Sequence, residues 1–136
     1  MLRISKLADY ATLILSHLAK QTDQFISATV LAKECRLSSH VVSKILKMLT
    51  HAHLTVAVRG AEGGYRLARA AQDITLAEVI TAMEGGVCVT ECCSKDSACV
   101  LNGSCGMKNN WNVINQVIHS TLSKVTVKDM MVPLHV

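Results

Sequence analysis

The chain has 136 residues, half of them hydrophobic, and a formal charge of +4. That is enough for one domain, or a small domain with an extra helix, and it excludes a chain disordered by composition. The four aromatic rings, Tyr10, Phe25, Tyr65 and Trp111, are too few for a base-stacking platform, which excludes a single-strand nucleic-acid binder.

No apolar run approaches the ~18 residues of a membrane span, so no membrane partner is expected. The start, Met1-Leu2-Arg3-Ile4-Ser5, carries no secretory signal, so a cytoplasmic protein is expected. In that compartment six cysteines point to metal or redox chemistry rather than a disulfide framework. The mild positive charge permits a nucleic-acid partner without requiring one.

Ser5 is a cap for a first helix running to about Lys20, with Leu7, Tyr10, Ile14 and Leu18 as its apolar stripe. Asp9 lies off that stripe. A polar loop, Gln21–Gln24, leads to Ser27, which caps a short helix, Ala28–Cys35, with Leu31 and Ala32 inward. Arg36-Leu37 is a tight connection. Ser38 or Ser39 then caps a third helix whose apolar positions are Val42, Ile45, Leu46 and Leu49. Its other face carries His40, Ser43, Lys44 and Lys47. Two short helices with so short a turn match a helix-turn-helix, whose second helix enters the major groove. The plainer reading is two amphipathic helices with a solvated face.

Leu54–Arg59 is β-branched and strand-like, Gly60–Gly64 is a loop, and Tyr65-Arg66-Leu67 returns as a second strand. A hairpin directly after a recognition-type helix is a wing. Arg59 and Arg66 flank its glycine-rich tip, where small residues let the backbone approach phosphates or a minor groove. Arg69–Asp73 is a linker. Thr75-Leu76-Ala77-Glu78 has capping-box spacing and opens a helix that ends at Gly85-Gly86.

Next comes the stretch that organises the chain, Cys93-x5-Cys99-x5-Cys105. Its Gly, Ser, Asn and Asp content predicts an irregular loop able to wrap three sulfurs around one centre. Thiolates suit iron–sulfur clusters, zinc or copper(I), and the spacing matches neither the common zinc nor the ferredoxin pattern. We read it as an iron–sulfur site with an incomplete local ligand set. Cys92 stands beside Cys93 as an alternative ligand; the even spacing favours Cys93. A last long helix follows from about Lys108 to Lys124. Trp111, Ile114, Ile118 and Val125 form a near-heptad stripe, widened by Val117 and Leu122, whose cheapest partner is the same helix of a second copy; the plainer alternative is packing against the first helix of its own chain, and the two are compatible. Met130–Val136 is expected to be a frayed tail.

Leu2–Ala11, Val58–Ala68, Ile74–Glu78 and the cysteine loop followed by Trp111 together resemble the IscR/NsrR-type family of bacterial winged-helix transcription factors. The resemblance covers nearly the whole chain. Within the family it is nearest to regulators of the SUF iron–sulfur assembly system. It implies a mainly α fold: a winged helix-turn-helix with a two-stranded wing (1–72), a linker helix and cysteine loop (73–106), and a dimerisation helix with its tail (107–136). It implies a homodimer on a roughly palindromic double-stranded DNA operator, with affinity controlled by a 2Fe-2S or 4Fe-4S cluster.

The ligands it implies are Cys93, Cys99 and Cys105. Where the IscR branch has a completing histidine, this chain has Lys108, whose ammonium offers no lone pair. In the NsrR branch an aspartate of the first helix, donated by the partner subunit, is the fourth ligand, and Asp9 matches it. It places Ser38, His40 and Ser43 on the DNA-facing start of the third helix and gives Arg59 of the wing a grip on DNA; our own reading of the helix face and the wing adds Ser39, Lys44, Lys47, Gly60 and Arg66 to the DNA-binding set. Ser43 replaces a glutamate of the IscR branch, so operator choice does not carry over. Repression and activation both remain open. The rivals are a zinc-bound form of the same fold, a thiol redox switch using Cys88, Cys92 and Cys93, and a nitric-oxide sensor of the NsrR type. No constellation of base and nucleophile suggests an enzyme.

Overall fold

A computed structural model describes residues 2–135; the ends of the predicted tail and of the N-terminal stretch, Val136 and Met1, lie outside it. The order is α1 (Lys6–Ala19), α2 (Ala28–Cys35), α3 (Ser39–His51), β1 (Thr55–Val58), β2 (Gly64–Leu67), α4 (Leu76–Glu84), α5 (Lys108–Lys124) and α6 (Val127–Met130). Short 3-10 turns occupy Ala71–Asp73 and Glu91–Cys93. The chain is thus mainly helical with one two-stranded antiparallel sheet, as the sequence predicts. No helix among the described residues is long and apolar enough to cross a membrane.

Side-chain caps set the helix starts. Ser5, Ser27 and Ser38 each accept a backbone N–H from the first turn of α1, α2 and α3. Such a cap is worth about 1 kcal/mol. Ser38 rather than Ser39 caps α3. Thr75 and Glu78 close a reciprocal capping box on α4, and Gly85 ends that helix in the left-handed region at φ 82°. Arg36 ends α2 in the same region at φ 55°, opening the three-residue turn Arg36–Ser38 that leads into α3.

The core lies where α1, α2, α3 and α4 meet. Ile14, Leu15 and Leu18 of α1 pack with Leu31 of α2 and Ile45, Leu46 and Leu49 of α3, all fully buried. Val79 and Ile80 of α4 close the cluster. The wing pairs Thr55 with Leu67 and Val58 with Gly64. It is also tied to the start of α2. Tyr65 donates its N–H to the Ile26 carbonyl (2.8 Å), and Ile26 donates back to Tyr65 (2.9 Å). The wing's posture is therefore fixed relative to the helix-turn-helix.

Two expectations about the C-terminus need correction. Val125 is not part of the α5 stripe: α5 stops at Lys124 and Val125 is extended. The tail does not begin at Met130 either, because residues 125–131 are ordered by backbone pairing. Leu76 donates to the Val125 carbonyl and Val127 donates to the Ile74 carbonyl, both at 2.9 Å. Thr126 and Asp129 form a second capping box that opens α6, and Val127 is fully buried in the core. Four residues are too few for a periodic signal, and the Thr126-x-x-Asp129 spacing is the local signal for this start. Pairing with 74–76 fixes where α6 packs.

Candidate metal centre and nucleic-acid interface

The residues expected to face DNA lie on one exposed side. Ser38, Ser39, His40, Lys44 and Lys47 are exposed, and Ser43 is half-buried. They occupy the face of α3 opposite its buried stripe of Val42, Ile45, Leu46 and Leu49. The sequence puts the basic residues there because a helix buried on one stripe leaves the other to solvent or a ligand. Arg59 and Gly60 sit exposed at the wing tip. Arg66 is placed differently. Its guanidinium stacks 4.7 Å from the Phe25 ring centroid. It therefore braces the wing against the loop before α2, as well as adding charge.

The cysteine loop runs from Cys88 to Cys105 with little regular structure beyond the 3-10 turn at Glu91–Cys93. Cys93, Cys99 and Cys105 are each half-buried. The described residues do not gather them into a group of three metal donors. Cys93 is the best-placed of the three. Its thiol lies 3.2 Å from the Thr90 hydroxyl and donates to Oδ1 of Asn112 on α5 at 3.4 Å. Cys92 shares the same Thr90 hydroxyl at 3.1 Å. Cys88 is exposed and donates to the Cys93 carbonyl at 3.5 Å. Cys35 is far from this chemistry in the chain, buried at the end of α2, where burial pushes its thiol pKa up.

Asp9 is exposed on α1. It borders a hollow of about 230 Å³ lined by Ile4, Ala8, Thr12, Leu76, Ile80 and Met130. Within one chain it is not a member of any metal-donor group with the cysteines.

Sequence reasoning missed three polar residues here. Asn115 accepts the N–H of Val89 at 3.0 Å, and Asn112 meets Cys93 one helical turn earlier. Thr90 bridges the adjacent thiols. The available signal was the spacing of Asn112 and Asn115, which puts both on one face of α5. That face, with Ile118 and Leu122, turns to the chain's own α4 and cysteine loop. Trp111 and Ile114 lie at its solvent edge, and Val113 and Val117 are more exposed still. The predicted apolar stripe is therefore split, and α5 buries no residue completely.

The loop's chemistry fits a soft metal group. Three half-buried thiols supply soft donors. Ser97 Oγ and Asn102 Oδ1, both inside the loop, are the buried side-chain polar atoms without a partner among the described residues. Buried polar atoms are normally paired, and these two lie in the same loop as the three thiols.

Residues 4–133 match the Rrf2 family, described as iron-dependent transcriptional regulators. The chain belongs to the Rrf2 family. Among Rrf2-like relatives, the regulator NsrR of Oceanobacillus iheyensis is 26% identical over 132 residues, covering 96% of this chain and 90% of its own. The structure of CymR, the global cysteine regulator of B. subtilis, is similar at a TM-score of 0.74 and 26% identity, over 96% of this chain and 97% of that one. The T. potens IscR structure is similar at a TM-score of 0.70 and 27% identity, over 96% and 86%. The Rrf2 chain is a transcriptional regulator with a DNA-binding winged-helix fold.

Proposed function

We propose that this Rrf2 regulator binds its operator as a homodimer whose affinity is set by an iron–sulfur cluster on Cys93, Cys99 and Cys105. Asp9 of the partner subunit completes the ligand set, and the regulated genes are those of SUF iron–sulfur assembly. The observation that carries this reading is the loop itself. It holds three half-buried thiols and two unpartnered buried polar atoms within thirteen residues, in a chain whose core is otherwise well satisfied.

When bound, the cluster supplies an iron centre able to react with oxygen, nitric oxide or electrons. The chain's own residues supply the coupling. Asn112 and Asn115 hold the segment from Val89 to Cys93 against α5. A metal-bound sulfur is an acceptor, so the Asn112 carboxamide then offers its N–H instead of its oxygen. Any shift of Cys93 is thereby felt by α5. The exposed Trp111, Ile114, Val113 and Val117 make α5 the surface on which a second copy seats. The two winged domains must present their α3 helices about one DNA turn, ~34 Å, apart, so the angle at α5 controls affinity. Coupling of this kind is reciprocal: DNA also alters cluster retention.

One observation favours a second reading, a thiol switch. Cys92 and Cys93 place their sulfurs around a single hydroxyl, with Cys88 alongside. The experiment that separates the two is oxygen-free purification, reconstitution with iron and sulfide, and a visible spectrum with iron and sulfide assay. A brown protein whose cluster is lost more readily in Asp9→Ala supports the cluster and its fourth ligand. Colourless protein that binds its promoter equally well refutes the cluster. A defined disulfide after peroxide treatment, with altered DNA binding, establishes the thiol switch instead.

A further inference from the structure

Between α3 and the wing runs a groove of about 680 Å³ whose polar lining includes Lys47, Thr50, His51, His53, Arg59 and Tyr65. No carboxylate lines it. Lys47 belongs to the DNA-facing side of α3 and Arg59 to the wing tip, so the groove joins the two parts of the DNA face. A recognition helix in a major groove with a wing beside it has the phosphate backbone passing between them. The two histidines line this groove beside the DNA-facing residues, between two fixed positive charges.

His53 stands in the turn that ends α3. Its φ is 61°, one of two positive values at non-glycine residues among those described. An L side chain there costs of order 1–2 kcal/mol, and asparagine or glycine would cost less. The Leu54 N–H meets the Leu49 carbonyl at 2.9 Å, so His53 is the left-handed residue of a helix stop, which fixes its place beside the groove. The turn is fixed by the His53 N–H on the Thr50 carbonyl at 3.0 Å.

We infer that His51 and His53 are DNA-backbone contacts, and that the groove is a phosphate cradle with Lys47 and Arg59 as permanent charges and the two imidazoles as proton-dependent ones. The inference rests on the reading of α3 and the wing as the DNA face. Imidazole is the side chain that gains charge between pH 5 and 8. A phosphate beside it favours the charged form, so DNA binding takes up protons and affinity rises as pH falls. The other groups facing the pair are Tyr65 on the wing and, behind His51, Glu78 of α4 and His119 of α5. Glu78 is already engaged by Arg69 at 2.7 Å.

The test is fluorescence anisotropy with a short duplex of arbitrary sequence, because backbone contacts carry no sequence information. Titrations run across a salt series at about pH 6 and about pH 8. Wild type should bind about tenfold tighter at the lower pH, two imidazoles contributing a few-fold each. The His51→Gln/His53→Asn double variant should flatten that response to within about twofold and lower the salt slope at acid pH by about two. Asn at position 53 suits the backbone, so the fold is kept, and a melting curve checks it. The His51→Lys/His53→Lys variant should bind tightly at both pH values. Comparing variants with wild type at one pH cancels any effect of acidity on the cysteine loop. A Gln/Asn variant with the wild-type pH response and salt slope overturns the inference, because His40 or another group then carries the effect. Arg59→Ala, measured alongside, separates the two levels. If it weakens binding while the histidine variants match wild type, only the cradle fails. If it too changes nothing, the DNA face itself is misplaced.

Discussion

The wing's attachment to the rest of the domain depends on Gly64, and replacing that glycine by alanine tests the account most directly. Gly64 pairs with Val58 across the hairpin and has φ +147°. A β-carbon there would overlap the Ile26 carbonyl and come within 2.8 Å of the Ser27 nitrogen. Those are backbone atoms, so no side chain can swing aside. Backbone strain costs about 1–3 kcal/mol. Relief of the overlap would break the two Ile26–Tyr65 hydrogen bonds, at about 1 kcal/mol each. Gly64→Ala should therefore cost about 3–5 kcal/mol, lowering the melting temperature by roughly 10–20 °C. Gly60 is the control. Its φ is +120°, but a β-carbon there meets nothing within 4 Å. Gly60→Ala should cost only the strain, about 1–2 kcal/mol. The assay is thermal unfolding by circular dichroism, with DNA affinity measured in parallel. Gly64→Ala melting within a few degrees of Gly60→Ala would refute the claim that the wing is pinned by close backbone approach.

Three further outcomes are expected. Val127→Ala should destabilise by about 2 kcal/mol, because a fully buried branched side chain leaves a cavity, and a denaturant midpoint unchanged from wild type would remove α6 from the core. For Glu78, burial raises the carboxyl pKa, but hydrogen bonds from the Thr75 N–H and Arg69, with the Arg69 charge, outweigh it and hold it below the usual range. Its contribution is therefore complete above the unfolded carboxylate pKa of about 4.3 and fades as pH falls through the folded value, so Glu78→Gln should lower the melting temperature slightly at neutral pH, with a difference from wild type that shrinks as the pH is taken into the acid range. The half-exposed Arg69 pair limits that neutral-pH effect to under about 1 kcal/mol. Asn112→Ala with Asn115→Ala should leave the melting curve within about 1 kcal/mol of wild type, each lost contact being a single hydrogen bond, while speeding chelator removal of iron from the reconstituted loop. Unchanged chelation kinetics would show that α5 does not hold Cys93.

Much of the fold was legible in the residues. Periodic apolar positions, serine and threonine caps and glycine stops are local signals, and α1 to α4 follow from them because each helix start is decided by its own first turn; α5, which has no side-chain cap, follows from its apolar spacing alone. Strand and wing were legible for the same reason: β-branched runs interrupted by a glycine-rich tip need no distant partner to be recognised. The basic, exposed face of α3 was legible once the opposite stripe was assigned to the core. The triple-cysteine spacing was legible as donor chemistry, which is a property of side-chain type.

What the chain could not announce locally is everything that depends on meeting across distance. Residues 125–131 carry a capping-box spacing at Thr126 and Asp129 but too short a run for periodicity, and where they pack is set by their pairing with 74–76. Asn112 and Asn115 look like solvated helix residues until the cysteine loop is brought against them. Arg66 reads as a wing charge until Phe25 is found beneath it. His51 and His53 read as a helix end and a turn until the wing folds over to make a groove with them. In each case the deciding energy comes from contacts between segments remote in sequence, which only the tertiary arrangement supplies.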